Sequence, residues 1–537
     1  MSKQKKQSFL GGAAVLAAAV AIVKVIGAIY KIPLGNIIGD EGKAHFTVAY
    51  NIYNLLLTIS TAGLPLAISK LTSEAHALGK ENEKRKLFRT AIWLFFGLGT
   101  VGSLFMFFGA GQLAGFMNDD LARLSIRALA PAVFCVCLLA CMRGYTQGQG
   151  NMQPTAISQV LEALCKLTIG LSLAWYFLKL GRGVEYSAAG AILGVTVGTI
   201  ASMIFLIFYL LRHRDNTLSD DVPSSGGELM HRVLAIGIPI TLSNSAMSII
   251  TLIDSKIVLG RLEAISGLLT DTPTALYGQY TFGMDLINLP PSFVYPVTMS
   301  LIPFAAAAMA RHDSGESNRI ISSAFRLIAI LAIPAGVGLS VMSGPILMML
   351  YPAVPDAAAA AAPHLRVLGI ACIFICVMTL TNAILQSYGH ERIPIWTMVA
   401  GGVTKIVMNY ALVGNPDINI HGAPISTLCC YLVIVSLNLF FVWKYSPEKP
   451  RYLQLFTKPV VASALMGAAV WGVYGLLNRA LSGGVYSYFA NALSALVGIL
   501  AGVAVYGVLV VALRILRAED LRSIPHGAKL ASLLHLK

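Results

Sequence analysis

The stretch QGQGNMQPTAISQVLEALCK, residues 147–166, has a counterpart in QSYGHERIPIWTMVAGGVTK, residues 386–405. Each reads Gln-x-x-Gly, then a proline, then a lysine. Gly150 stands as far from Lys166 as Gly389 does from Lys405. Two further pairs keep the same order. Lys31-Ile-Pro-Leu-Gly35 matches Lys256-Ile-Val-Leu-Gly260. Tyr50-x-x-Tyr53 before Leu64-Pro65 matches Tyr277-x-x-Tyr280 before Leu289-Pro290. Ordered matches at offsets of about 225 to 239 residues mark an internal duplication.

The repeated unit is a membrane one. Of 537 residues 56% are hydrophobic and 12% charged, with mean hydropathy +0.72. Soluble domains carry about 25% charged residues. Apolar runs of about 20 residues, the length that crosses a bilayer as a helix, recur from end to end. Fourteen are expected, at 9–34, 44–69, 88–113, 121–142, 154–178, 187–211, 231–257, 275–308, 320–349, 359–387, 393–413, 422–443, 457–478 and 487–513. The expected fold is an all-α membrane protein of two six-helix lobes with parallel topology plus two C-terminal helices. The N-terminal lobe is 1–211, a polar linker 212–230, the C-terminal lobe 231–445, the last two helices 446–513 and a tail 514–537.

The net charge of +14 sits mostly in alternate loops, which argues for membrane topology and against nucleic acid as a partner. Lys80, Lys84, Arg85, Lys86 and Arg89 crowd the second loop, whereas residues 117–120, 352–363 and 414–421 hold no Lys or Arg. The basic side is the cytoplasmic one, and an even span count puts both termini there. The basic N-terminus followed by an apolar run has the look of a signal peptide, but Lys24 interrupts it and it reads as a retained first helix. All eight cysteines fall inside expected spans without a CxxC pair, so neither disulfides nor a metal site are expected.

Charges inside spans are costly and face protein or water. Lys24 and Lys31 lie in span 1, Glu162 and Lys166 in span 5, Asp254 and Lys256 in span 7, Asp285 in span 8, Arg366 in span 10 and Lys405 in span 11. Glu162 and Lys166 share a helix face and can pair. Lys31, Lys256 and Arg366 can instead snorkel to the outer interface. Lys166 and Lys405 come about 18 Å into their helices, near mid-membrane. Lysines at two depths in a cavity between the lobes suit an anionic substrate such as a phosphate ester. There is no GxxxxGK[ST] loop and no HExxH motif, and no catalytic residue is expected.

Arg143-Gly-Tyr-Thr-Gln-Gly-Gln-Gly-Asn-Met-Gln-Pro-Thr-Ala-Ile-Ser-Gln159, with Glu162 and Lys166 behind it, resembles the signature of the SpoVB/YtgP branch of the MOP flippase superfamily. Gly63-Leu-Pro-Leu-Ala-Ile-Ser-Lys70 and Leu286-Ile-Asn-Leu-Pro290 resemble that branch's motifs in spans 2 and 8. The resemblance covers nearly the whole chain. It implies alternating access by two six-helix lobes, with two further helices in MurJ-like members. It places Lys24 and Lys31 among cavity-facing basic residues, and Asp254, Asn409, Ala423 and Thr427 at positions of a sodium site described for some MurJ proteins. Thr58 and Asp285 stand where MurJ has basic residues, and Val413 where the sodium site has an acid. The counter-charge of Asp254 is either a bound cation or Lys405.

The expected function is a flippase for an undecaprenyl-diphosphate-linked cell-wall precursor such as lipid II. Lys24, Lys31, Glu162, Lys166 and Lys405 would be its substrate-binding residues. Sodium or a proton gradient would drive it, and no other cofactor is implied. Its partners would be the lipid-linked sugar, membrane lipid and cell-wall synthesis proteins, in a bacterial cytoplasmic membrane. Export of another lipid-linked oligosaccharide and cation-coupled drug efflux are the alternatives. A membrane glycosyltransferase would want acids on large outer loops, and the outer loops are short.

Overall fold

The computed structural model describes residues 9–516, apart from 214–218, 296–297, 299–313, 447 and 482–486. The described residues form helices and turns with no strand. In chain order the helices are α1 (Phe9–Thr61), α2 (Leu64–Ala77), α3 (Glu81–Phe108), α4 (Ala110–Phe116), α5 (Arg123–Gly148), α6 (Gln153–Lys179), α7 (Val184–Arg212) and α8 (Gly226–Ala264). After them come α9 (Pro273–Ile287), α10 (Ser314–Val341), α11 (Ser343–Leu350), α12 (Pro355–Ser387), α13 (Arg392–Leu412), α14 (Gly422–Tyr445), α15 (Tyr452–Leu481) and α16 (Ser487–Ala512). Ten helical stretches among the described residues are long and apolar enough to cross a membrane. Thirteen of the expected spans fall on this helical framework. The remaining one, 275–308, begins in α9 and runs into residues outside the described set.

The first two expected spans are one helix interrupted by a kink. Helix α1 does not stop at Gly35 but continues to Gly39, whose φ of 67° and ψ of −167° break the helical path. That conformation has no steric cost only for glycine. The second span breaks again at Ala62–Gly63, where α2 restarts with Pro65 in its first turn, the position at which proline loses nothing.

Of the three matches seen in sequence, the Gly150 and Gly389 pair marks helix ends, whereas Gly35 lies inside α1 and Gly260 inside α8. Helix α5 closes on Gly150 (φ 77°) and α12 on Gly389 (φ 79°). In the first, Gly150 N–H donates to Gln147 O at 2.9 Å and Asn151 N–H to Thr146 O at 3.1 Å. In the second, Gly389 donates to Gln386 O at 3.0 Å and His390 to Leu385 O at 2.9 Å. Both are Schellman caps, with the glycine in the left-handed region that closes the helix. The next helix starts at once in each case, with Pro154 or Pro394 in its first turns.

The chain divides into two compact units. One is Met1–Glu263 with Asp271–Gly278, the other Ala264–Thr270 with Gln279–Lys537. In the first unit the two family motifs pack on each other. A Cβ on Gly144 would lie 2.6 Å from Pro65 O, and one on Gly148 2.6 Å from Ser69 O. Glycine therefore lets α5 meet the backbone of α2. The linker is tied to the same unit: Asp221 accepts the backbone N–H groups of Asn82 (3.0 Å) and Glu83 (2.8 Å) at the start of α3. Its slight desolvation raises the carboxyl pKa, but bonds from Ser219, Asn82 and Glu83 outweigh it and hold the group below the usual carboxylate range.

Candidate functional site

The repeat places one lysine in each unit at the same helical depth. Lys166 is thirteen residues beyond Gln153, the first residue of α6, and Lys405 thirteen beyond Arg392, the first of α13. At 1.5 Å per residue that is about 20 Å along the helix, well inside a core about 30 Å thick.

Lys166 occupies an aromatic niche of the first unit. Its Nζ lies 4.5 Å from the Tyr50 ring centroid and 4.9 Å from that of Tyr30, and 3.4 Å from Tyr50 OH. Phe46 stacks on Tyr50 at 5.6 Å and tilts against Tyr30 at 6.1 Å. Tyr30 is fully buried and donates its hydroxyl to Ala191 O at 3.2 Å. That bond depends on close helix packing. A Cβ on Gly194 would lie 2.4 Å from Gly170, and one on Gly170 2.9 Å from Ala191 O, so α6 and α7 meet backbone to backbone. Each ring face over an ammonium contributes about 0.5–2 kcal/mol.

Glu162, one turn away, does not pair with Lys166 as its spacing suggests. Its carboxylate takes Arg143 Nη2 at 3.0 Å, and Arg143 Nε donates to Ser158 Oγ at 2.9 Å. Arg143, near the end of α5, meets Glu162 of α6 across the turn at Gly150. Arg143 sits one residue past the expected end of its span, so a search for charges within spans passes over it. Of the two tyrosines, Tyr50 was visible only in a Tyr-x-x-Tyr repeat and Tyr30 carried no signal.

The other first-unit candidates are placed as follows. Lys24 and Lys31 stand seven residues apart on α1, on one face; Lys24 is exposed and Lys31 half-buried. Lys43, expected in an outer loop, is buried at 1% exposure and donates to Lys31 O at 3.4 Å. Asp254 is buried in α8. Its neighbour Ser255 bridges Asn51 Nδ2 (2.7 Å) and Tyr277 OH (2.8 Å). Lys256 donates to Asn118 Oδ1 at 2.6 Å and lies 4.7 Å from the Phe116 ring. Thr58 and Ser248 share a hydrogen bond between their hydroxyls at 2.9 Å.

In the second unit Asn409, Ala423 and Thr427 come together through α13 and α14. Ser426 Oγ donates to Asn409 Oδ1 and to Ala423 O, the latter at 2.8 Å. Thr427 Oγ1 and Tyr280 OH are 2.9 Å apart. Asn409 and Thr427 are fully buried. Beside them, His364 is 1% exposed, and its ring lies 4.9 Å from that of His421 and 6.5 Å from that of Tyr280. Val413 is fully buried and adds no oxygen. Lys405 is half-buried one turn before Asn409. Ser426 and the two histidines escaped a reading that weighed charged residues within spans.

Helices of this length and kinking define a polytopic all-α membrane protein, and solved structures share the fold. A lipid II flippase MurJ in an inward closed conformation aligns with TM-score 0.69 at 16% identity, covering 93% of this chain and 98% of that one. An inward-facing MATE-family multidrug transporter of the MOP superfamily aligns with TM-score 0.65 at 16% identity, over 78% of this chain and 97% of that one. The chain belongs to the polysaccharide biosynthesis protein family, whose model matches residues 9–309. Among relatives in Bacillus subtilis, the membrane protein YabM is 27% identical over 97% of this chain and 96% of its own length. Stage V sporulation protein B is 24% identical over 97% and 98%, and lipid II flippase MurJ 25% identical over 88% and 90%.

Proposed function

We propose that this protein is a flippase that carries an undecaprenyl-diphosphate-linked cell-wall precursor of the lipid II type across the bacterial cytoplasmic membrane by alternating access. The observation that carries the reading is the state of Lys166. Glu162 is engaged by Arg143, so the nearest carboxylate on α6 does not neutralise the lysine, and tyrosine rings and a hydroxyl surround it instead. An ammonium held that way can take an incoming anion as its counter-charge, and a diphosphate is such an anion. Nearly end-to-end kinship with stage V sporulation protein B and MurJ of Bacillus subtilis supports the same class.

In this reading Lys24, Lys31, Lys166 and Lys405 attract the diphosphate and Glu162 fixes Arg143. Within the second unit Asn409, Ala423 and Thr427 offer an amide, a carbonyl and a hydroxyl, the oxygen chemistry a hard cation takes. A sodium ion held there would couple transport to the ion gradient. Its test is transport after replacing sodium by choline, and unchanged activity rules the coupling out.

The decisive experiment is complementation of a strain depleted of its lipid II flippase. The wild-type chain should restore growth, Lys166→Ala and Lys24→Ala should fail at equal membrane abundance, and Lys166→Arg should retain part of the activity. A wild-type chain that inserts but does not restore growth overturns the lipid II assignment. The family's link to polysaccharide synthesis favours export of another lipid-linked oligosaccharide as the second reading.

A further inference from the structure

A charged concavity lies in the second unit. It has a volume of about 1020 Å³ and is walled by the start of α10, the segment between α14 and α15, the first turns of α15 and the end of α16. Six of its lining residues are basic: Arg319, Arg326, Lys449, Arg451, Lys458 and Arg514. The single acid among them, Glu448, already accepts Asn318 Nδ2 at 2.5 Å. Neutral oxygens hold several of the cations in place: Arg326 donates to Ser323 Oγ at 3.3 Å, Lys449 to Trp443 O at 2.7 Å and Lys458 to Leu513 O at 2.9 Å.

The backbone at Arg514 points the same way. Arg514 N–H donates to Val511 O at 3.1 Å and Ile515 N–H to Val510 O at 3.0 Å, the Schellman pattern again. Arg514 therefore occupies the left-handed position (φ 48°) that Gly150 and Gly389 occupy elsewhere in this chain. Arginine there bears a steric cost that glycine would avoid, and its side chain lines the pocket.

The surroundings identify the ligand's chemistry. The pocket sits where four membrane helices begin or end, on the side the basic loops mark as cytoplasmic. Below it α15 turns large apolar residues outward: Leu453 is 84% exposed, and Val460, Val461 and Leu465 are about half exposed. The Lys449 ammonium that lines the pocket lies 4.7 Å from the ring of Trp443 in the last turn of α14, and tryptophan is enriched at membrane interfaces. We propose that this concavity binds the headgroup of an anionic phospholipid of the cytoplasmic leaflet, its phosphate held by Arg326, Arg451 and Arg514 and its acyl chains lying along α15. Basic pockets between helices on that side of a membrane recognise such headgroups by charge.

The test uses the purified full-length protein in dodecyl maltoside, melted with added dioleoylphosphatidylglycerol, dioleoylphosphatidylcholine or sodium pyrophosphate. Phosphatidylglycerol should raise the apparent Tm by several degrees more than phosphatidylcholine does. R326Q/R451Q should cut that increment by more than half. R514G should lose most of the increment while its lipid-free Tm stays level or rises, because glycine relieves the left-handed backbone. That second variant separates loss of binding from loss of fold. Equal increments from the two lipids, or an increment untouched in R514G, overturn the proposal. An increment reproduced in full by pyrophosphate overturns the lipid assignment and gives the pocket to a soluble phosphate.

Discussion

Glu162 and Lys166 stand four residues apart on one helix, and pairing between them is what helical spacing recommends. Arg143 takes the carboxylate instead, at 3.0 Å, and adds a bond to Ser158. A planar guanidinium can serve a carboxylate and a hydroxyl at once, whereas an ammonium acts as a point charge. Removing the guanidinium leaves a three-quarters-buried carboxylate without its charged donor, a loss of about 1.5–3 kcal/mol. Arg143→Ala should therefore lower the Tm in detergent, and adding Glu162→Gln should recover part of the loss. If the double variant melts below the single one, the two side chains are not energetically coupled.

One of the duplicated matches is a pair of helix ends. Gly150 and Gly389 hold φ near +78° in matching caps, and a side chain there costs about 1–2 kcal/mol. Gly150→Ala and Gly389→Ala should each lower stability by about 1 kcal/mol, with asparagine costing less because it tolerates the left-handed region. Gly97→Ala is the control. Gly97 is exposed inside α3 with nothing within 4 Å of an added Cβ, and alanine there should stabilise by up to about 1 kcal/mol. Chemical denaturation of the detergent-solubilised variants measures all three. Equal effects at Gly97 and Gly389 would mean the caps contribute nothing beyond ordinary helix propensity.

For the whole molecule, the alternation of basic loops assigns sides. An even span count with cytoplasmic termini predicts that alkaline phosphatase fused after Lys537 is inactive, while fusions after Asn118 and Asn415 are active. The reverse pattern would invert the orientation. Most of the helical framework was legible in the sequence, because hydropathy over about 20 residues senses the bilayer directly. The ends of α1 were not legible. Its apolar character runs on past Gly35, and only the backbone shows that Gly39 makes the break.

The sequence by itself determined the membrane class, most of the helical framework, the matching cap glycines Gly150 and Gly389 and the helical depth of Lys166 and Lys405, since each follows from short-range properties: hydropathy, a cap glycine, a count of residues at a fixed rise. Only the tertiary structure decided which groups meet. Arg143 and Glu162 are 19 residues apart, and Lys166 and Tyr50 are 116 apart. Their contacts depend on how each helix is rotated against its neighbour. That rotation is set by close approaches such as Gly170 against Gly194, which depend on packing between distant segments rather than on local propensity. The arginine-lined concavity of the second unit is of the same kind: its cations are scattered from Arg319 to Arg514, and folding alone makes them one site.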